Sequence, residues 1–217
     1  MDTLTAKTAK IFGKGLATGL TLQLAIGPVF FFIANLALQR TVFDGLAAVG
    51  AVTLVDFFYI TLSIVGIGKL LEKKEARRPL GIISSLVLMI FGALMLRAAM
   101  TGLGGLPAPL AASDLAASFL STFALTISSP MTIVFFTGIF AAKATENNFS
   151  KRGLAVFGLG TGLATLIFMG LAVVVFSAVR TAVPTGLMRG LNVFVGLLLV
   201  AYGVFRLAKM SVSAERS

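Results

Sequence analysis

Six apolar stretches, at about residues 13 to 38, 45 to 68, 80 to 100, 114 to 142, 153 to 178 and 187 to 208, constrain this chain more than any other feature. Each is long enough to cross a hydrocarbon core about 30 Å thick, which takes roughly 20 residues of helix. The runs are continuous and far longer than the roughly ten-residue alternating strands of a membrane barrel, and backbone in lipid must satisfy its own polar groups. The expectation is an all-α integral membrane protein, a single transmembrane domain over residues 1–217 with six transmembrane helices. With 58% hydrophobic and 12% charged residues, no large water-soluble domain fits in 217 residues. The first run follows Lys7, Lys10 and Lys14 but exceeds an export signal in length and lacks a small-x-small cleavage site, so it reads as a retained first helix.

Charge sets the direction. Fourteen of the 18 lysines and arginines lie in the amino-terminal tail, the second-to-third connection (Lys69, Lys73, Lys74, Arg77, Arg78), the fourth-to-fifth connection (Lys143, Lys151, Arg152) and the carboxyl-terminal tail. Arg40, Arg97, Arg180 and Arg189 fall on the other side. The positive-inside bias therefore places both termini in the cytoplasm. The same arrangement explains the net charge of +10 without nucleic acid as a partner; the lipid bilayer is the partner it implies. With no histidine and no cysteine, the usual metal ligands and physiological-pH base are absent, so neither enzyme chemistry nor a cofactor is expected.

The halves resemble each other. Gly27-Pro28 in the first run has an echo in Ser129-Pro130 in the fourth, Gly45 to Gly50 aligns with Gly153 to Gly158, and Phe91-Gly92 with Tyr202-Gly203. The reading is two three-helix repeats, about 11–100 and about 114–208. Three is odd, so the second unit enters from the opposite face, an inverted-topology pair of the kind that builds alternating-access transporters.

Pro28 and Pro130 each remove an amide donor near mid-membrane, leaving the carbonyls of Leu24 and Thr126 without their helical partners. Unpaired carbonyls are costly in hydrocarbon, so each break should face protein, water or a ligand. Half-helices starting there would aim positive dipole ends at a carboxylate, while the freed carbonyls suit an ammonium. Of the eight acidic residues, only Asp56 lies well inside a run, with no lysine or arginine at comparable depth. Burial disfavours its charged form, making it a candidate proton carrier or a contact for a cationic substrate group. Gln23, Asn35 and Gln39 in the first run, Thr122, Thr126, Ser128, Ser129 and Thr132 in the fourth and Asn192 in the sixth are weaker polar candidates, most of them expected to bond between helices; Gln23, one turn before Gly27, and Thr126, one turn before Pro130, could line the breaks, whereas Gln39 falls at the membrane edge. Gly15-x3-Gly19, Gly158-x3-Gly162 and Gly186-x3-Gly190 have the spacing of close helix packing, within a subunit or in a homodimer. Gly158-x-Gly160-x-Gly162 follows no strand and is not a nucleotide-binding loop.

The chain resembles the lysine exporter (LysE/RhtB) superfamily over nearly its whole length, on Ala25 to Val29, Arg40, Gly45, Gly50, Asp56, Gly66, Gly92, Ser129-Pro130 and Phe135-Phe136. The family commonly reads Pro-Gly-Pro at the first break and Asn-Pro-Lys at the second, where this chain has Ile26, Ser129 and Met131. The resemblance implies a multi-pass protein of the bacterial cytoplasmic (inner) membrane. It further implies secondary transport: export of amino acids or close derivatives driven by a cation gradient, here read as protons, with Gly27, Pro28, Asp56 and Pro130 on motif positions. The expected substrate site comprises Gln23, Leu24, Gly27, Pro28, Asp56, Thr126, Ser129 and Pro130, with proton coupling at Asp56 and no bound metal. The rival readings are an exporter of metal or inorganic cations and a non-transporting membrane assembly subunit.

Overall fold

The computed structural model describes residues 2–24, 27–66, 74–101 and 114–215. Among these there is helix and no strand. Ala25, Ile26, Lys69, Lys73 and Arg216, used in the sequence reading, lie outside the described residues. The helices are α1 (Asp2–Gln23), α2 (Pro28–Gln39), α3 (Val42–Val65), α4 (Lys74–Thr101), α5 (Leu115–Ile127), α6 (Pro130–Glu146), α7 (Lys151–Val179) and α8 (Thr185–Glu215), with a short 3-10 turn at Arg180–Ala182.

The two prolines break the helices where the sequence places them. Proline is preorganised for the first helical position and pushes the residue before it to extended backbone. Gly27 (φ −115°, ψ 179°) and Ser129 (φ −98°, ψ 85°) accordingly cap new helices with proline at the start. The bend is 82° between α1 and α2, and 65° between α5 and α6. These are interruptions rather than kinks. Three helical segments are long and apolar enough to cross a membrane alone, and five are if each bent pair counts as one span; α4 holds a shorter apolar segment, Ser85–Arg97. That count is compatible with six.

Helix boundaries depart from the apolar runs. Helix α1 starts at Asp2 instead of residue 13, α4 at Lys74 instead of 80, and α8 runs to Glu215 instead of 208. Hydropathy reports only the portion suited to lipid, whereas helix continues through polar residues until something stops it, and neither glycine nor proline interrupts residues 2 to 12. Where a stop exists it is local: Gly66 ends α3 in the left-handed conformation (φ 89°), which glycine adopts without a Cβ clash.

Packing runs between the halves. Helix α1 lies along α7, α5 along α3, and α4 along α8, with α3 crossing α7 in the middle. At one end of the bundle Lys14 donates to Asn147 (2.9 Å); at the other, Arg180 donates to the Arg40 carbonyl. The amino-terminal region and the α6–α7 connection thus share one end, and the α2–α3 and α7–α8 connections the other. Outward faces are apolar: Leu120, Leu171 and Phe205 are each more than 60% exposed, the pattern of a surface meant for lipid.

Glycines set how close these pairs come. A Cβ on Gly15 would run into the Phe157 carbonyl of α7, and one on Gly160 into the Phe12 carbonyl of α1. The glycine-rich turn of α7 is therefore a packing face. Gly186 and Gly190 meet nothing within 4 Å among the described residues. In the α4–α8 contact, a Cβ on Gly92 would sit 2.6 Å from the Gly196 carbonyl oxygen and 2.9 Å from the Val200 amide nitrogen, neither of which moves without moving a helix. Gly92→Ala is expected to cost about 1–3 kcal/mol by overpacking. Gly50→Ala, with nothing within 4 Å of the new methyl, is expected to be neutral or stabilising by up to about 1 kcal/mol through helix propensity. Unfolding midpoints of the two purified variants in the same detergent check the contrast, and equal losses would contradict it.

Candidate functional site

A cavity of about 390 Å³ lies where the two breaks converge. Its walls come from the carboxyl-terminal ends of α1 and α5, the amino-terminal ends of α2 and α6, and the middles of α3 and α7, with Leu88 of α4 and Tyr202 of α8. Packed apolar clusters flank it. One gathers Phe32, Leu36, Val49, Met95, Val195 and Leu199; the other gathers Val55, Ile60, Ile133, Phe140, Leu154 and Phe157. The breaks explain why the cavity exists, because two helices that stop mid-bundle leave volume that no continuous rod fills.

Six of the eight expected site residues line this cavity: Gln23, Gly27, Pro28, Asp56, Thr126 and Ser129. Pro130 begins α6 directly after Ser129. Leu24, expected to contribute its backbone carbonyl, lies in the turn after α1; its side chain is 71% exposed and does not line the cavity. The expected free carbonyl of Thr126 needs correcting as well, because the Ser129 amide donates to it at 3.0 Å. A turn replaces the lost helical bond. The neighbouring Ile127 carbonyl accepts from the Tyr59 hydroxyl of α3 at 2.6 Å, so the second break is tied to α3.

Asp56 is 6% exposed. Its Oδ2 accepts from the Thr165 hydroxyl of α7 at 2.7 Å, and Thr165 Oγ1 accepts from Gln23 Nε2 of α1 at 2.6 Å. Three helices meet in that chain of bonds. The ion pairs among the described residues are Arg40 with Asp44 and Lys143 with Glu146, and neither reaches Asp56. The remaining polar lining includes Thr132, Thr161 and Tyr202, and the aromatic wall is Phe30, Phe135 and Phe136. The cavity can therefore offer one carboxylate, several hydroxyls, two helix amino termini and an apolar wall to a small dipolar molecule.

Thr165 and Tyr59 were not legible as site residues. The available signal for Thr165 was its place one turn after Thr161 on the same face of α7; for Tyr59, its place three residues after Asp56 on α3. Of the polar residues expected to bond between helices, Asn35 donates to Asn192, and Gln39, read as a membrane-edge residue, donates to Asn192 at 2.8 Å, whereas the hydroxyls of Thr122, Thr126 and Ser128 donate to carbonyls of their own helix.

A second polar centre lies away from the cavity. Asp44, in the first turn of α3, is fully buried. Its Oδ1 is 3.3 Å from Arg40 Nη1 and accepts from the Ser118 hydroxyl at 2.8 Å, and its Oδ2 completes a capping box with Thr41. Arg40 Nη1 donates to Ser118 Oγ at 2.8 Å, while Arg40 Nε and Nη2 are buried without partners. Helix α5 lies over this end of α3, which is why a terminal charge is sealed off from water.

Apolar outward faces and broken helices around a central cavity define a helical membrane protein. The LysE type translocator family model matches residues 20–210, and the chain belongs to that family, which makes it a membrane transporter. No curated protein and no solved structure matches the chain.

Proposed function

We propose that this protein is a secondary transporter that exports amino acids or close derivatives, coupled to the proton gradient, across the bacterial cytoplasmic membrane. The observation that carries the reading is the single unpaired carboxylate of Asp56 facing a cavity between two helix breaks. An amino acid brings an ammonium and a carboxylate. The ammonium suits Asp56, and the carboxylate suits the positive dipole ends of α2 and α6. The volume, about 390 Å³, falls within the common range of small-molecule sites, about 300–1,000 Å³.

The reading includes six spans with both termini in the cytoplasm, as two inverted repeats. The reciprocal packing of α1 on α7 and α5 on α3 supports that pairing, because each is the first half of a broken helix set against the middle helix of the opposite unit. Two units rocking about the cavity would expose it to either side in turn, with differential affinity in the two states supplying the coupling.

Two observations favour this reading over its rivals. An assembly subunit needs a filled centre at the breaks, and this centre is open. A metal-ion exporter needs convergent hard or soft ligands, and among the described residues no three His, Cys, Asp or Glu come together. The test is purified protein in liposomes under an imposed proton gradient, assayed with all twenty amino acids. Accumulation of at least one that collapses with a protonophore is the expected result. No gradient-dependent movement of any of them would sink the reading.

A further inference from the structure

We propose that Thr165 is a positioning residue that ties the end of α1 to the charge state of Asp56, so that the first break is held while the carboxylate is charged and released when it is neutralised. The proposal rests on the reading of Asp56 as the coupling group, but its test does not require transport.

Gln23 is the last residue of α1, and its side-chain amide donates to Thr165 Oγ1 at 2.6 Å. Thr165, 2% exposed, spends its only proton on Asp56 Oδ2 at 2.7 Å. Pro28 starts the next helix after an 82° bend, so the Gln23 bond anchors a chain end rather than the middle of a rod. A hydroxyl has one donor and two acceptor positions. With Asp56 charged, Thr165 donates to a carboxylate, and the polarised oxygen becomes a better acceptor for Gln23. A proton on Oδ2 reverses the bond. Asp56 then donates, Thr165 must turn its own proton elsewhere, and the charge assistance that strengthened both links disappears. A substrate ammonium seated on the carboxylate competes for the same charge.

Among the described residues, no other ionic group lines the cavity. The described lining contributed by α1, α2, α4, α5, α6 and α7 contains no aspartate, glutamate, lysine or arginine, and the titratable neighbours are Tyr59 on α3 and Tyr202 on α8. The physical benefit is the suppression of uncoupled motion: α1 stays fixed when the site holds neither proton nor substrate.

The chain has no cysteine, so a nitroxide on Leu24→Cys reports one position, and the native Leu24 points away from the cavity. Label mobility is measured by electron paramagnetic resonance on the full-length protein in lipid, across pH. The parent is expected to be immobile at alkaline pH and to shift toward the mobile component by about tenfold as pH falls, about what one charge-assisted hydrogen bond is worth. Thr165→Val, which keeps shape and removes the hydroxyl, is expected to be mobile at every pH. Thr165→Ser is expected to restore the parent's profile, and Asp56→Asn to abolish its pH dependence. The proposal is overturned if Thr165→Val keeps the parent's pH profile, if Thr165→Ser behaves like Thr165→Val, or if the parent shows no pH dependence. A label that responds as expected in a protein that moves no amino acid would instead remove the transport reading and leave the tether standing.

Discussion

Asp56→Asn is expected to leave a folded protein that has lost its response to a proton gradient. The amide has the same shape, and its oxygen still accepts from Thr165, so the buried contact at 2.7 Å survives in neutral form. What disappears is the only charge facing the cavity from its described walls. Hydrogen bonds to charged groups contribute about 1.5–3 kcal/mol, so affinity for a substrate ammonium should fall roughly ten- to a hundredfold. Two assays in liposomes divide the roles. If exchange of labelled for unlabelled amino acid persists while gradient-driven accumulation is lost, Asp56 carries the proton. If both are lost together, it holds the ammonium. Full coupled transport by the variant would remove this carboxylate from the mechanism.

The second large effect is expected far from the cavity, at the pair formed by Arg40 and Asp44. Both side chains are sealed, at 2% and 0% exposure, so removing one takes the ion-pair partner away from a buried charge. Breaking such a pair costs about 3–5 kcal/mol, against a total stability of about 5–15 kcal/mol for many folded proteins. Arg40→Met alone and Asp44→Asn alone should therefore sharply lower the unfolding midpoint in detergent. The double variant should be less damaged than the sum of the two, because neither buried charge then lacks its ion-pair partner. Arg40 already buries two nitrogens without partners, which makes the intact pair costly too and sharpens that expectation. Strictly additive losses would show that the two residues stabilise the fold independently.

These two sites differ in how much of them could be read in advance. A carboxylate in the middle of an apolar run is conspicuous in any linear reading, because its cost in lipid does not depend on which helix lies beside it. Asp44 sits near the end of its run, where a charge is cheap if water reaches it. Whether water does is decided by α5, whose Ser118 is 74 positions away. Thr165 meets Asp56 across 109 positions and Tyr59 meets the Ile127 carbonyl across 68. Both pairings depend on how the helices are rotated against one another. Hydropathy constrains that rotation weakly here, since lipid-facing and core-facing positions are both apolar.

What followed from residue order alone was the helical class, the approximate segments, the two interruptions and the one deep charge. Each is a property of a residue and its solvent: a missing amide hydrogen, an apolar surface, a charge without water. The tertiary structure decided that the interruptions meet around one cavity, that Gln23 and Asp56 are joined through a threonine, that Leu24 faces away, and that a terminal arginine and aspartate are buried together. Those are facts about distances between separate helices, set by the glycine contacts that bring α1 to α7 and α4 to α8, and no local propensity encodes them.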